Sequence, residues 1–179
     1  MHKMLKDDFF DRSTLLVARE LLGKYLCRKR SGRVEASMIT EVEAYDGPHD
    51  RASHASRGKT ARNAPMFDEA GVWYVYLVYG MHWMLNIVTG GKDYPAAVLI
   101  RGVEGIAGPA RLTKAFRVDK RFDGVRAGRK CGLWIEDRGV RVPRSRIRRT
   151  PRIGVDYAGE WAGKPYRFMI SGEAGRVAK

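Results

Sequence analysis

Three observations predict an α+β fold in one domain spanning residues 1–179. One stretch alternates with strand period, several β-branched and aromatic runs are joined through single glycines, and only two short segments read as helix. The first helix spans Ser13 to Gly23: Leu15, Ala18 and Leu22 share a face, Ser13 stands at the N-cap and Gly23 at the end. Tyr25–Arg30 and Val34–Tyr45 are predicted strands around a Ser31-Gly32 turn. In the second, Val34, Ala36, Met38, Thr40, Val42 and Ala44 alternate with Glu35, Ser37, Ile39, Glu41, Glu43 and Tyr45, which puts Glu41, Glu43 and Tyr45 on one face.

Asp46 to Asp68 is polar and broken by Gly47-Pro48 and Ala64-Pro65. It reads as a long loop, a length that usually signals function or disorder. Val72–Tyr79 and Trp83–Val88 form a hairpin through Gly80, and Ala96–Val103 is a buried strand. Gly108-Pro109 opens the second helix, with proline at the first helical position and Leu112, Ala115 and Phe116 on its apolar side. Short strands follow at Cys131–Ile135, Val140–Val142 and Tyr166–Ile170, and no internal repeat is evident.

The charge balance narrows the partners. Lys and Arg number 34 against 20 Asp and Glu, a formal net charge of +14, so the surface attracts polyanions. A ribosome-associated or merely highly soluble protein shares that property. Cys27 and Cys131 lie far apart with no ligand-spaced neighbour and read as reduced core residues. CxxC, HExxH, Walker and GxGxxG patterns are absent, so no metal and no cofactor is expected. Met1–Phe10 mixes charged with apolar residues and does not read as a signal peptide, which makes the cytoplasm the expected compartment, on the nucleoid in a prokaryote. Residues 70–91 carry no formal charge. Their dispersed aromatics and the interrupting Gly80, His82 and Asn86 favour the hairpin over a membrane span.

Glu43 is the first candidate for chemistry, since a carboxylate set among apolar neighbours can deprotonate a water and face a developing positive charge. The same alternation equally suits a solvated strand face. Its company adds weight: Tyr45 on the same face, His54 a short loop later, Arg101 at the end of a buried strand. Tyr45, His54 and Tyr76 offer flat surfaces able to sandwich an extruded base. The tip Tyr79-Gly80-Met81-His82 carries large groups that would insert as a wedge between base pairs. Basic residues gather in two loops, Arg51, Arg57, Lys59 and Arg62 before the hairpin, then Arg141, Arg144, Arg146, Arg148, Arg149 and Arg152. Each loop is a phosphate clamp or a solvated segment.

Several blocks occur in one order along nearly the whole chain: Thr40-Glu41-Val42-Glu43-Ala44-Tyr45 with Gly47-Pro48 and Ala52-Ser53-His54, then Thr60-Ala61-Arg62-Asn63 with Met66-Phe67. Tyr74-Val75-Tyr76-Leu77-Val78-Tyr79-Gly80-Met81, Asn86, Val98-Leu99-Ile100-Arg101 and Gly108-Pro109 continue the series. Arg152-Ile153-Gly154-Val155 and Ala158-Gly159-Glu160-Trp161-Ala162 complete it. With these blocks the chain resembles the alkyladenine (3-methyladenine) DNA glycosylase family.

The resemblance implies a single mixed domain around a curved antiparallel β-sheet with a protruding β-hairpin. It implies a monofunctional enzyme without cofactor, a monomer acting on duplex DNA that contains damaged purines, with no membrane partner. Glu43 is then the general base, and Arg101 and the Ile153 carbonyl are the other partners of the attacking water. Tyr45, His54 and Tyr76 wall the base pocket, and Asn86 crowds the exocyclic amine of normal guanine. Tyr79 intercalates beside Met81 and His82; from the basic clusters, Arg62, Arg144, Arg146 and Arg148 are the residues expected to meet the DNA backbone. His82 stands where relatives carry tyrosine, and the stretch between Arg101 and Gly108 is shorter than in mammalian members, which implies fewer contacts to flanking DNA. The implied lesions are 3-methyladenine and, further, 7-methylguanine, hypoxanthine and ethenoadenine. A binding module for the minor groove or RNA shares the charge and the aromatic tip, and a nucleoside or RNA N-glycosidase shares the carboxylate.

The hairpin must then put Tyr79 at its tip and Tyr76 with Asn86 in one pocket. A two-residue Gly80-Met81 turn would pair Tyr76 with Leu85 and send Asn86 to the other face. The expectation is a three-residue Gly80-Met81-His82 loop with Tyr76 directly opposite Asn86.

Overall fold

A computed structural model describes residues 2–172. Met1 and residues 173–179, which the one-domain expectation includes, lie outside the described residues. Among the described residues, ten strands form one antiparallel sheet flanked by three short helices, an α+β arrangement. In chain order these are β1 (Lys3–Met4), α1 (Asp7–Phe10), α2 (Thr14–Leu21), β2 (Tyr25–Arg30), β3 (Arg33–Tyr45), β4 (Trp73–Val78) and β5 (His82–Val88). They continue with β6 (Ala97–Val103), β7 (Ile106–Ala107), α3 (Pro109–Ala115), β8 (Leu133–Asp137), β9 (Ile147–Thr150) and β10 (Arg167–Ile170). The main path runs β1-β8-β2-β3-β6-β5-β4, with β10 on β3, β9 on β10 and β7 on β6. No helix of the described residues is long and apolar enough to cross a membrane.

The long strand β3 organises everything else. Residues 33–38 pair with β2, residues 39–45 with β6, and residues 41–43 also with β10. Its register against β6 slips around Glu41, a β-bulge that bends the strand where it changes partners. Beyond the bulge, residues of even number point into the main core. Val42 and Ala44 meet Val98, Ile100, Leu85, Ile87 and Phe168 there, closed over by Val17 and Leu21 of α2 and Leu112 of α3. At 25 cal/mol per Å² of apolar area, each such side chain stabilises the fold by about 1.5–3 kcal/mol.

Residues of odd number point the other way, beneath the segments 46–68 and 151–162. Those segments carry their own small apolar clusters, Ala55 and Met66 against Tyr74 and Val88, and Ala52 against Val155 and Ala158. The long polar loop predicted over 46–68 is thus a packed roof containing 3-10 turns at His54–Arg57 and Ala64–Phe67. Asn63 pins it: its side-chain amide donates to the carbonyls of His54 and Gly58, and its Oδ1 accepts from the Thr60 N–H.

Several expected elements shift. Ser13 stands at the N-cap of α2 but its side chain makes no capping bond. Gly23 follows that helix with φ +83, and a Cβ there would sit 2.9 Å from Val142 Cγ2, so glycine is required twice over. The strand expected at Cys131–Ile135 runs instead over Leu133–Asp137. Val140–Val142 is irregular, because Asp137 accepts from the Gly139 N–H and turns the chain there. β1, β7 and β9 are additions. β9 escapes a sequence reading because two of its four residues are arginines, a composition common on edge strands.

The hairpin corrects the expected register. Val78 pairs with His82, Tyr76 with Met84 and Tyr74 with Asn86, so the three-residue loop is Tyr79-Gly80-Met81 rather than Gly80-Met81-His82. The Val78 carbonyl accepts from the Met81 N–H at 3.1 Å, and Tyr79 and Gly80 have φ 51 and 69. Positive φ at both central positions is the type I′ requirement, which matches the twist of a hairpin. Tyr76 and Asn86 still share a face, as diagonal neighbours instead of opposite partners.

Candidate active site

The odd face of the sheet carries a row of side chains across six strands. Thr150 of β9 stands opposite Arg167 of β10, which stands opposite Glu43; Glu43 faces Leu99, Leu99 faces Asn86, and Asn86 faces Tyr74. Above this row lies a cavity of about 410 Å³, lined by Tyr45, His54, Arg62, Tyr74, Tyr76, Asn86, Leu99, Arg101 and Ile153 among others. Strand alternation, bulge and hairpin register together bring these residues to one place.

Glu43 sits directly behind that lining with 0% exposure, so it is not a solvated strand residue. Its Oε1 accepts from the Ile153 N–H at 2.8 Å. Its Oε2 accepts from the Tyr45 hydroxyl at 2.9 Å and lies 3.4 Å from Arg101 Nη1. Burial raises the Glu43 pKa, and Arg101, the Ile153 N–H and the Tyr45 hydroxyl pull it back part of the way. The outcome is a carboxylate held above its ordinary range and still partnered on both oxygens. Burial and the neighbouring Glu43 charge push the Tyr45 phenol well above its usual value, so it remains a donor. For Arg101 burial pulls downward, but Glu43 and Glu41 outweigh it and the guanidinium stays charged.

Arg101 is itself held by a residue absent from the expected set. Glu41 Oε1 accepts from Arg101 Nε at 2.9 Å and from Arg167 Nε at 2.7 Å, so two carboxylates and two guanidinium groups interleave along the bulge. No short motif marks this network, because Arg167 lies 126 residues from Glu41.

The aromatic wall is a cluster. His54 and Tyr76 meet edge to face with centroids 4.6 Å apart, and Tyr74 and Tyr76 are tilted at 5.1 Å. Tyr74, which by sequence reads as an ordinary core or cross-strand tyrosine, bonds His54 Nδ1 through its hydroxyl at 3.0 Å. The His54 ring opens towards the cavity, yet the protein around it and then Arg62 hold its pKa below the usual imidazole value, which favours a neutral ring. Arg62 lies over Tyr76 at 5.4 Å and donates to the Leu77 carbonyl. Asn86 is buried, its Nδ2 donating to the carbonyls of Tyr74 at 3.0 Å and Met84 at 3.3 Å. Two carbonyl partners leave that amide one orientation.

A buried ion pair ties the two roof segments, 46–68 and 151–162, to each other. Asp50 and Arg152 side chains are both fully buried: Arg152 Nη2 donates to Asp50 Oδ1 at 2.8 Å, and Arg152 Nη1 donates to Asp50 Oδ2 and to the Ala44 carbonyl. Asp50 also accepts from the backbone N–H groups of Asp46 and Ala52. Arg152 therefore does not belong with the phosphate-binding arginines. It fixes Ile153, the next residue, against Glu43.

The remaining candidates are exposed. Tyr79 is 87% exposed at the hairpin tip, with Met81 and His82 beside it. Arg144 and Arg146 occupy a 3-10 turn and Arg148 lies on β9, all three open to solvent.

Known proteins resemble this chain along most of its length. The family model for methylpurine-DNA glycosylase matches residues 8–107 and 103–174. A protein of Methanocella arvoryzae, provisionally named 3-methyladenine DNA glycosylase, is 46% identical over 186 residues, covering 92% of this chain and 91% of its own length. Proteins given the same provisional name from Anaeromyxobacter sp. (strain Fw109-5) and Legionella pneumophila (strain Paris) are 43% and 42% identical. Each match covers 95% of this chain, and 90% and 95% of the relatives respectively. Matched along most of its length by both kinds of comparison, the chain belongs to the methylpurine-DNA glycosylase family.

Proposed function

We propose that this chain is a monofunctional DNA glycosylase that extrudes a damaged purine from duplex DNA and hydrolyses its N-glycosidic bond with a water activated by Glu43. One observation carries the reading: a fully buried carboxylate with a raised pKa stands directly behind an aromatic cavity that is large enough for a purine. A nucleic-acid-binding module has no use for such a group.

In this scheme the base enters between Tyr45 on one side and His54 with Tyr76 on the other. As the base stacks, the Tyr45 hydroxyl gives up Glu43 Oε2 to a water. That water passes a proton to Glu43, its oxygen bonds C1′, and the C1′–N electron pair departs with the purine. Arg101 and the Ile153 carbonyl hold the water, while the Ile153 N–H keeps the other carboxylate oxygen in place. A cationic base such as 3-methyladenine leaves as a neutral molecule, so it needs no acid. The same pocket admits 7-methylguanine, hypoxanthine and ethenoadenine to lesser extents, and the pinned Asn86 amide crowds the exocyclic amine of undamaged guanine. Tyr79 fills the vacated stack with Met81 and His82 beside it, and Arg62, Arg144, Arg146 and Arg148 meet phosphates. The enzyme works as a monomer.

The test is release of free base from duplex DNA carrying methylated purines. Glu43→Gln keeps the shape and removes the base, so the rate falls by a factor on the order of 10²–10⁴ with binding to abasic-site DNA retained. Excision by that variant at the wild-type rate, a borohydride-trapped adduct, or loss of activity with chelator would refute the mechanism.

A further inference from the structure

Six large apolar side chains are exposed among the described residues: Val34, Tyr79, Met81, Tyr94, Ile153 and Tyr157. Three of them, Tyr79, Ile153 and Tyr157, line one cavity mouth. Tyr79 already has a role as the wedge. Tyr157 belongs to a separate element, the 3-10 turn Asp156–Trp161 above the sheet, and is 66% exposed.

The orientation of Tyr157 is opposite to that of an ordinary surface tyrosine. Such a residue turns its hydroxyl to water and tucks its ring against protein. Here the hydroxyl donates inward to the carbonyl of the buried Ala52 at 3.1 Å, which leaves ring surface outward. Ile153 follows the same pattern, with its N–H bonded to Glu43 and its side chain 50% exposed. The turn beneath them is firmly seated, since Val155 and Ala158 pack on Ala52, and Arg152 is locked to Asp50. A preorganised apolar lip next to Arg62, in a chain of net charge +14, suits a polyanion that also has apolar faces. Nucleic acid fits that description.

We infer that Tyr157, with Ile153, forms a second lip that packs on the sugar and base next to the extruded nucleotide, so that the duplex is gripped at two apolar points. The inference rests on the glycosylase reading above. It adds a DNA-contacting residue at the rim of the base pocket, apart from the aromatic walls and from the hairpin.

Affinity for a duplex with a tetrahydrofuran abasic analogue, titrated across salt concentrations, tests it. Tyr157→Ala should weaken binding by roughly 5- to 100-fold, the range of one aromatic–base stack removed. The slope against log salt should not change, because an apolar lip displaces no counterions. Tyr157→Phe keeps the ring and should bind within about threefold of wild type. If the alanine variant folds poorly, Tyr157→Leu replaces it, since leucine keeps apolar bulk without a stacking face and should also bind more weakly. Wild-type affinity in a folded alanine or leucine variant, or a loss accompanied by a shallower salt slope, overturns the inference. Release of methylated base by the wild-type enzyme is scored in parallel. Its absence would remove the glycosylase reading and leave the affinity comparison standing.

Discussion

The two faces of β3 beyond its bulge are built from neighbouring residues and obey opposite rules. Val42 and Ala44 bury apolar surface against Ile100, Val98 and Phe168, where any side chain of similar shape would serve. Glu43, one residue along, is just as deeply buried but among hydrogen-bonded polar groups, and Tyr45 beside it is half-buried at the cavity wall. The first face is stable by itself. The second depends on partners from residues 101, 152, 153 and 167, so its integrity rests on how the roof is fastened.

The largest expected effect follows from that fastening. Asp50→Ala removes one member of a fully buried ion pair and leaves Arg152 charged without its partner, at a cost of about 3–5 kcal/mol. Val42→Ala on the opposite face should cost about 1–3 kcal/mol and leave the activity of folded molecules intact. Urea unfolding with activity per folded molecule separates the two. A small loss for Asp50→Ala would show that the roof is not held by this pair.

The polar face should also titrate where the apolar one cannot. Because the Glu43 pKa is raised, the unprotonated base is populated only at higher pH than for an ordinary carboxylate. The acid limb of kcat/KM should therefore lie above pH 4.5. For stability the sign is the reverse of a salt-bridged acid. The native state holds the Glu43 proton more tightly than the unfolded chain, so stability from this group is present at low pH and lost as pH rises through the folded pKa. Glu43→Gln should flatten that dependence. A limb at or below the ordinary carboxylate value would mean that Glu43 is not the titrating base.

The smallest effect divides two adjacent arginines. Arg148 stands opposite Met169, which in turn stands opposite Glu41, on the face of the site. Arg149 stands opposite Phe168, donates to the Pro165 carbonyl and covers the core edge. Arg148→Ala should reduce the salt slope of DNA binding by about 0.9 for each phosphate it no longer neutralises, and Arg149→Ala should not. Equal slopes would show that strand alternation does not sort these side chains.

What can be read from the sequence follows the range of each physical rule. Period-two alternation puts Glu41, Glu43 and Tyr45 together because it acts over neighbouring residues. Gly108 at the N-cap and Pro109 at the first position of α3 locate that helix for the same reason. The hairpin loop lies one residue from its expected place, since a left-handed Tyr79 is a choice that glycine counting does not anticipate. Asp50 with Arg152 and Glu41 with Arg167 are invisible in the sequence, because pairs more than a hundred residues apart are joined only by folding. The roof reads as an open loop because its order comes from Asn63 and Asp50 bonding to backbone, which leaves no hydrophobic period.

The left-handed Tyr79 at the hairpin tip has a consequence for how this protein tolerates change. A type I′ turn favours Asn-Gly, and a bulky aromatic at φ 51 costs about 1–2 kcal/mol relative to a relaxed backbone. Selection for thermal robustness alone would replace this tyrosine, and the same replacement would blunt the wedge proposed here. At that single position stability and repair activity are in opposition, and consensus-style stabilisation of the chain would have to leave it untouched.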